Sequence, residues 1–317
     1  MSGAWTRRSF LGALAMAAGA QEIPVFSSDV KVVNVLASVR TKGGEIVNNL
    51  TRDDFVLSED KRRQKIAYFS RESDLPLILG LLVDTSGSQL SVLDKEETAS
   101  YRFLDRVLRD DIDRTFLAHF DFDTELLQDL TSSKEALRRG LAHMRPSRGG
   151  WGHRGGGTTL YDAIYLAANE VLRKQQGRKA MVILTDGVDH GSLVSLNEAI
   201  EYAQRADTII YSIMFEGEER GGNGGGMFGP FGLPPAFNGY KVLQKLARET
   251  GGAFFEVSRR MTIDRIYRRI EEELRNQYSL GYTPDRPLDD LRYRSIQLKT
   301  RRRGLVVQAR KGYYPRA

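Results

Sequence analysis

A continuous apolar segment that ends in oxygen-bearing side chains constrains the fold of this chain more than any other feature. Residues 77–83 carry no polar side chain, as in a parallel strand that is covered on both faces. Asp84, Ser86 and Ser88 follow directly, at alternate positions. Open α/β sheets bind their ligands in the crevice outside the carboxyl ends of the strands. We therefore expect these three side chains to converge at the ligand-binding edge of such a sheet.

Two further oxygen donors stand in similar settings. Thr158 follows three consecutive glycines, and Asp186 ends the strand-like run that begins at Met181. Hydroxyl and carboxylate oxygens without His or Cys suit a hard divalent cation such as Mg²⁺. The sequence therefore predicts a metal site that is formed by Asp84, Ser86, Ser88, Thr158 and Asp186.

The order of these residues resembles the metal-ion-dependent adhesion site of von Willebrand factor A-type domains. That family carries D-x-S-x-S, then a Thr after a Gly pair, then an Asp in a (T/S)-D-G turn, and the same order holds here. The resemblance implies that Ser86, Ser88 and Thr158 contact the ion directly at times, while Asp84 and Asp186 hold its waters. The implied ion is Mg²⁺, with Mn²⁺ or Ca²⁺ as alternatives. An acidic side chain of a partner protein would complete its coordination.

Between residues 76 and 277 strand-like and helix-like segments alternate, which is typical of a parallel-sheet α/β domain. Strands are predicted at 77–84, 114–121, 180–186, 208–215 and 253–257, with a short edge strand near 125–130. Helices are predicted at 91–109, 133–143, 159–175, 195–206, 239–250 and 262–277. The apolar spacing of the last helix predicts that Glu271, Glu272 and Glu273 lie mostly on its solvent side.

Both flanks of this region have short β-like runs separated by turn residues. Because each flank is too small for a core of its own, we expect them to combine. The predicted fold class is α/β: a doubly wound, mostly parallel sheet with a small β-sandwich that the N- and C-terminal flanks form together. The predicted domain order is a signal peptide (1–20), a β-rich flank (21–74), a von Willebrand A-type domain (75–278) and a second flank (279–317) that packs against the first.

The flanks also resemble those of exported bacterial proteins called VWFA-related. The resemblance rests on LTRDDF at 50–55, YSLGY at 278–282 and KGYY at 311–314, and it spans nearly the whole chain after residue 20. The resemblance implies the fold and the metal site, but it does not indicate which protein is bound.

The N-terminus has the pattern of a twin-arginine signal peptide. Arg7 and Arg8 precede a short apolar run that ends in the small residues 18–20. That run is about half of the ~20 residues that a membrane-spanning helix needs. We therefore expect no stable membrane span, and export to the periplasm or the cell exterior.

Composition excludes several classes of function. The 317 residues include no cysteine, so disulfides and Cys-based metal or thiol chemistry are excluded. The net charge of +6 is mild, and no basic stripe with interleaved aromatic residues is present, so nucleic acid is not an expected partner. The densest basic cluster, 301–303, is predicted to be a solvated hairpin turn.

The predicted activity is binding and not catalysis. Hydrolysis would require a general base near a metal-bound water, and none is evident. The segment 121–125 approaches a D-x-D-x-(T/V) phosphatase motif, but Glu125 stands at its last position, so a solvated strand end is expected. The predicted function is metal-dependent, adhesion-type binding of another protein. The alternative is a structural or assembly component of the cell envelope in which the metal only stabilises loops.

Two Gly-rich loops are predicted to lie on the same face as the metal. Trp and Arg are enriched in binding hot spots, so exposed aromatic and basic side chains there suit partner contact. The alternative interpretation is a flexible insertion without a role. The candidate rim residues are Arg148, Trp151, His153 and Arg154 in the first loop, and Phe228 and Phe231 in the second.

Overall fold

The computed structural model describes residues 32–72, 75–89, 93–145, 157–215, 235–286 and 291–315, all within one compact unit. The strands are β1 (Val33–Thr41), β2 (Phe55–Glu59), β3 (Arg62–Gln64), β4 (Tyr68–Glu72), β5 (Leu77–Asp84), β6 (Arg114–Phe120), β7 (Thr124–Thr131), β8 (Arg178–Thr185), β9 (Thr208–Met214), β10 (Phe254–Glu256), β11 (Gln277–Tyr282), β12 (Arg294–Thr300), β13 (Leu305–Ala309) and β14 (Gly312–Tyr313). The helices are α1 (Leu93–Val107), α2 (Lys134–Ala142), α3 (Leu160–Leu166), α4 (Leu196–Arg205), α5 (Pro235–Thr250) and α6 (Ile263–Arg275).

The central sheet has the strand order β10-β9-β8-β5-β6-β7, and every neighbouring pair is parallel except β6 and β7. All eight residues of β5 are buried, because side chains on both of its faces meet helices. Leu79 and Leu81 pack in one apolar cluster with α1, α2 and α6. Ile78 and Leu82 pack in another with α3, α4 and α5. The sheet is therefore doubly wound, as predicted.

The predicted strands of this sheet are all present, each within two residues of its expected bounds. The helix predicted over 159–175 differs, because its α-helical part ends at Leu166. The chain continues as a π-helical turn, Ala167–Val171, and a 3₁₀ turn, Leu172–Lys174. Apolar spacing does not distinguish these turn types from a continued α-helix.

The flanks form two four-stranded antiparallel sheets, ordered β13-β1-β11-β4 and β14-β12-β2-β3. Their facing sides share a core in which Val35 of the first sheet meets Leu57 and Ile296 of the second. Each sheet contains strands from both flanks, so neither flank could form it alone. This confirms the predicted fold class, a mostly parallel sheet with a β-sandwich built from both flanks. The exact domain boundaries stay a prediction.

A buried ion pair joins the sandwich to helix α6. Arg40 of β1 donates from Nε to Oε1 of Glu273 over 2.9 Å, and Gln308 donates from Nε2 to Oε2 over 3.1 Å. Glu273 is 1% exposed, so the prediction of a solvent-facing position is wrong for this residue. The last turn of α6 faces β1. Because Arg40 is so distant in the sequence, the apolar spacing of the helix could not predict this contact.

The basic cluster 301–303 is exposed, as predicted, but it is not a hairpin turn. It connects β12 to β13, which belong to different sheets. Among the described residues, no helix is both long and apolar enough to cross a membrane. The predicted signal peptide lies outside the described residues.

Candidate metal centre

Asp84 and Thr185 end two adjacent parallel strands at the same edge of the central sheet. Strands β5 and β8 pair Val83 with Leu184, which brings the following residues side by side. The Thr185 hydroxyl donates to Oδ2 of Asp84 over 2.6 Å, and the Ser86 amide donates to Oδ1 over 2.9 Å. Both oxygens of this buried carboxylate are therefore fixed by neighbours.

The segment after Asp84 turns back over the strand end. Gly87–Gln89 forms a 3₁₀ turn in which the Gln89 amide donates to the Ser86 carbonyl over 2.9 Å. The Thr85 amide donates to the carbonyl of Phe120 at the end of β6 over 3.0 Å. This turn keeps Ser86 beside Asp84, and the side chain of Ser88 lies outside the described part of the structure.

Thr158 is held at the same edge by backbone hydrogen bonds. Its amide donates to the His190 carbonyl over 3.1 Å, and the His190 amide donates to the Thr158 carbonyl over 2.8 Å. The next residue, Thr159, donates from its amide and its hydroxyl to the Asp121 carbonyl, over 2.8 and 3.1 Å. Asp121 is buried, so the expected solvated strand end is wrong at this residue. It connects β6 to the loop that carries Thr158.

The turn at Asp186 is shaped by two glycines. The Val188 amide donates to Oδ1 of Asp186 over 2.9 Å, and the Gly187 amide donates to the Thr185 hydroxyl over 3.0 Å. Gly187 has a φ of +78°, which favours glycine. Gly239 of α5 packs so closely that a Cβ there would lie 2.1 Å from the Asp186 carbonyl oxygen. Helix α5 therefore contacts the turn directly.

The loop after this turn is tied to the start of α3. Oδ1 of Asp189 and the Ser192 hydroxyl accept hydrogen bonds from the Tyr161 amide, over 3.2 and 3.1 Å. Asp162 in turn accepts from the Leu193 amide over 3.0 Å. These contacts fix the segments on both sides of the Thr158–His190 bridge. The sequence analysis did not single out these residues, since Asp and Ser near a helix start are ordinary capping residues.

Residues 79–188 match the family model of the von Willebrand factor type A domain. This part of the chain is therefore similar to von Willebrand factor A-type domains. This match confirms the resemblance at the level of the family, and the predicted ligands all lie within the matched residues. The metal site itself and membership of the exported VWFA-related group stay predictions.

Several solved structures are similar to the chain. BatB from Bacteroides thetaiotaomicron is 19% identical, over 62% of this chain and 97% of that chain, with a TM-score of 0.48. The von Willebrand factor type A protein from Catenulispora acidiphila is 12% identical, over 84% of this chain and 74% of that chain, with a TM-score of 0.49. The von Willebrand factor domain of Mfa5, the type V pili tip protein from Porphyromonas gingivalis, is also similar. It is 12% identical, over 62% of this chain and 94% of that chain, with a TM-score of 0.46. No match was found among curated protein sequences. Sequence identities this low do not show that this chain shares a ligand or a partner with those proteins.

Two buried carboxyl groups near the strand ends of the central sheet have raised pKa values. Burial, the largest effect, raises the pKa of Asp84 to about 6, and the charge of Asp186 adds to it, while hydrogen bonds from Ser86 and Thr185 oppose it. Burial and then the charge of Asp84 raise the pKa of Glu96, near the start of α1, to about 8. The charge of Asp186 thus acts on Asp84, and the charge of Asp84 acts on Glu96.

This charge distribution fits a cation. Among the described residues, neither carboxyl oxygen of Glu96 has a hydrogen-bond partner, and neither Nε2 nor Oε1 in the side chain of the equally buried Gln89 has one. Within the described ranges, His, Asp and Glu side chains form no group of three or more placed to hold a metal ion alone. Hydroxyl oxygens, which Ser86 and Thr158 carry at this edge, would have to supply the remaining ligands.

The predicted rim residues of the metal site belong to two segments outside the described residues. Arg148, Trp151, His153 and Arg154 lie between α2 and α3 in the sequence, and Phe228 and Phe231 lie between β9 and α5. Their role in partner contact stays a prediction.

Proposed function

We propose that the von Willebrand A-type domain binds another protein through a divalent cation, Mg²⁺ in the first instance. The ligands are the hydroxyls of Ser86, Ser88 and Thr158, with Asp84 and Asp186 holding its waters. The observation that carries the proposal is the buried carboxylate of Asp84 at the strand edge, which hydrogen bonds from Thr185 and Ser86 hold in place. Mn²⁺ and Ca²⁺ also prefer such oxygen ligands.

The donor set favours capture of an acidic side chain. Mg²⁺ prefers near-octahedral oxygen coordination, and neutral hydroxyl ligands leave it much of its charge. When bound, the ion would supply an electrophilic position that a partner's Glu or Asp can fill. The protein residues hold and orient it through the hydrogen bonds from Thr185 and Ser86 to Asp84.

The role we propose is not enzymatic. His119 is a buried imidazole at the end of β6, where a general base could stand. Its Nδ1 lies 3.1 Å from the Thr85 hydroxyl, and its Nε2 lies 3.2 Å from Oε2 of Glu125. Both ring nitrogens are thus engaged within the protein, which supports binding over proton transfer at this site.

We also propose that binding takes place outside the cytoplasm, in the periplasm or at the cell exterior. The proposal rests on the twin-arginine pattern at Arg7 and Arg8, in a segment outside the described residues. Fusion of residues 1–24 to a reporter that is active only after export tests it. Replacement of both arginines by lysine should abolish the reporter signal, and an unchanged signal would contradict the proposed route.

Metal binding is tested by calorimetric titration of the protein with Mg²⁺ and Mn²⁺. We expect Asp84→Ala and Asp186→Ala to lose binding while their circular dichroism is unchanged. Asp105→Ala is the matched control, because this carboxylate is half exposed on α1. Wild-type protein that binds neither ion would contradict the proposal.

Ligand binding is tested with a displayed peptide library that is selected in Mg²⁺ and eluted with EDTA. The eluted peptides should share an acidic residue, and they should not bind Asp84→Ala. Peptides that stay bound in EDTA would instead support a structural or assembly component, in which the metal only stabilises loops.

A further inference from the structure

Glu96 is a buried acidic residue that the proposed coordination does not use. It lies near the start of helix α1 and is 1% exposed, and neither of its carboxyl oxygens has a hydrogen-bond partner in the part of the chain that the structure describes. Burying a carboxylate without hydrogen bonds costs several kcal/mol, unless a cation lies close enough to compensate. A residue of this kind therefore requires a physical explanation.

The surroundings of Glu96 connect it to the metal centre. Burial raises the pKa of Glu96, and the negative charge of Asp84 raises it further. Glu96 also acts on the pKa of the fully buried Tyr267 of α6, whose hydroxyl lies 2.8 Å from the Ser100 hydroxyl, one turn after Glu96 on α1. The charge of Glu96 is therefore coupled to Asp84 at the strand edge as well as to α6.

Gln89 gives a second observation at the same place. It ends the 3₁₀ turn that follows Asp84 and Ser86, and among the described residues neither Nε2 nor Oε1 of its buried side chain has a hydrogen-bond partner. Buried amides and carboxyls are nearly always satisfied in folded proteins. One unsatisfied side chain in the turn after Asp84, and a second on the carboxyl group that the charge of Asp84 affects, suit a region that holds a charged ligand.

We propose that Glu96 is a positioning residue of the metal centre: a third carboxylate that strengthens cation binding from outside the coordination sphere. It occupies no coordination position, so the position for a partner's carboxylate stays open. In the buried interior its negative charge acts on the ion with little screening. The inference rests on the proposed metal site, and it adds a residue that lies outside the D-x-S-x-S motif.

The test compares variants of the full chain by calorimetric titration with Mn²⁺ after dialysis against EDTA. Glu96→Gln removes the charge at nearly constant volume, and we expect its dissociation constant to rise by about 10-fold or more, the usual effect of losing an outer-sphere partner. Glu96→Asp keeps the charge and should bind Mn²⁺ more tightly than Glu96→Gln. Glu97→Gln, at the next and half-buried position of α1, is the matched control and should bind as the wild type does.

A second readout separates this role from a structural one. In EDTA, Glu96→Gln should melt at the same temperature as the wild type or higher, because an unsatisfied carboxyl has been removed. The rise in melting temperature on adding Mn²⁺ should nevertheless shrink. A Glu96→Gln variant that binds Mn²⁺ like the wild type would overturn the inference alone, as would an equal loss in Glu97→Gln. A wild type that binds no Mn²⁺ or Mg²⁺ would overturn it together with the proposed function.

Discussion

The hydroxyl of Thr185 donates a 2.6 Å hydrogen bond to Oδ2 of Asp84, between the ends of two adjacent parallel strands. The same hydroxyl accepts a 3.0 Å bond from the Gly187 amide, so one side chain orients both the Asp84 carboxylate and the turn of Asp186. Thr185 therefore couples the two acidic residues of the candidate site without being one of its predicted ligands.

Replacing Thr185 by Val should weaken both the fold and the site. The variant removes the hydrogen bonds that Thr185 makes with Oδ2 of the buried Asp84 and with the Gly187 amide, which lowers the free energy of unfolding by about 1–3 kcal/mol. Metal affinity should fall as well, because Asp84 loses its orientation. Urea denaturation and Mn²⁺ titration measure the two effects. Thr185→Ser keeps the hydroxyl, and equal behaviour of the Val and Ser variants would contradict this explanation.

Gly239→Ala should disturb the Asp186 turn from a distant part of the sequence. A Cβ at this position would lie 2.1 Å from the Asp186 carbonyl oxygen, so α5 and the turn would have to separate. We expect a loss of about 1–3 kcal/mol in stability, typical of overpacking, together with weaker metal binding. Gly43→Ala is the control, since its nearest neighbour would lie at an ordinary 3.5 Å. Thermal melting of both variants decides whether the contact matters.

The metal-free protein should lose stability as the pH rises from 4.5 to 8. Burial raises the pKa of Glu96 to about 8 from 4.5, so the folded state binds this proton more tightly than the unfolded state does. The stabilisation is complete below pH 4.5 and is lost as the pH passes through the folded pKa, amounting to about 3 kcal/mol by pH 7. Urea denaturation in EDTA at several pH values measures the slope.

Glu96→Gln should flatten this pH dependence above pH 6. Asp84, whose pKa is raised to about 6, leaves a residual slope at lower pH. An unchanged slope between pH 6 and 8 in the variant would show that another group titrates there.

Breaking the ion pair between Arg40 and Glu273 should destabilise the protein strongly. Arg40→Met leaves a carboxylate that is 1% exposed without its cation, and such a loss costs about 3–5 kcal/mol. Arg302→Met breaks an ion pair with Asp54 at the surface and should have a much smaller effect, because water solvates the remaining charge. Chemical denaturation of the two variants gives the comparison, and equal losses would mean that burial does not control the effect.

The sequence predicted the central sheet well because its signals are local. Residues 77–83 are continuously apolar, and the strand they form is buried on both faces as that pattern requires. The position of Asp84 followed from the same run, since parallel strands present their carboxyl ends at one edge.

What the sequence did not reveal depends on contacts between distant residues. Glu273 belongs to an acidic run on an amphipathic helix, and its buried position depends on Arg40 of another sheet. Glu96 lies among charged neighbours in the run 94–97, so no spacing distinguishes it from a solvated residue. His190 holds Thr158 through backbone atoms, which side-chain chemistry cannot predict.

The position of β1 between β11 and β13 has a consequence for how the protein is made. Val33 pairs with Tyr282, and Ala37 pairs with Ala309, so β1 pairs with strands that are synthesised much later than it is. Pairings between such distant segments form slowly, because a long loop must close before any contact compensates its entropy. On the ribosome, the α/β region can therefore fold before β1 has paired. The edges of β1 stay exposed until β11 and β13 have been synthesised.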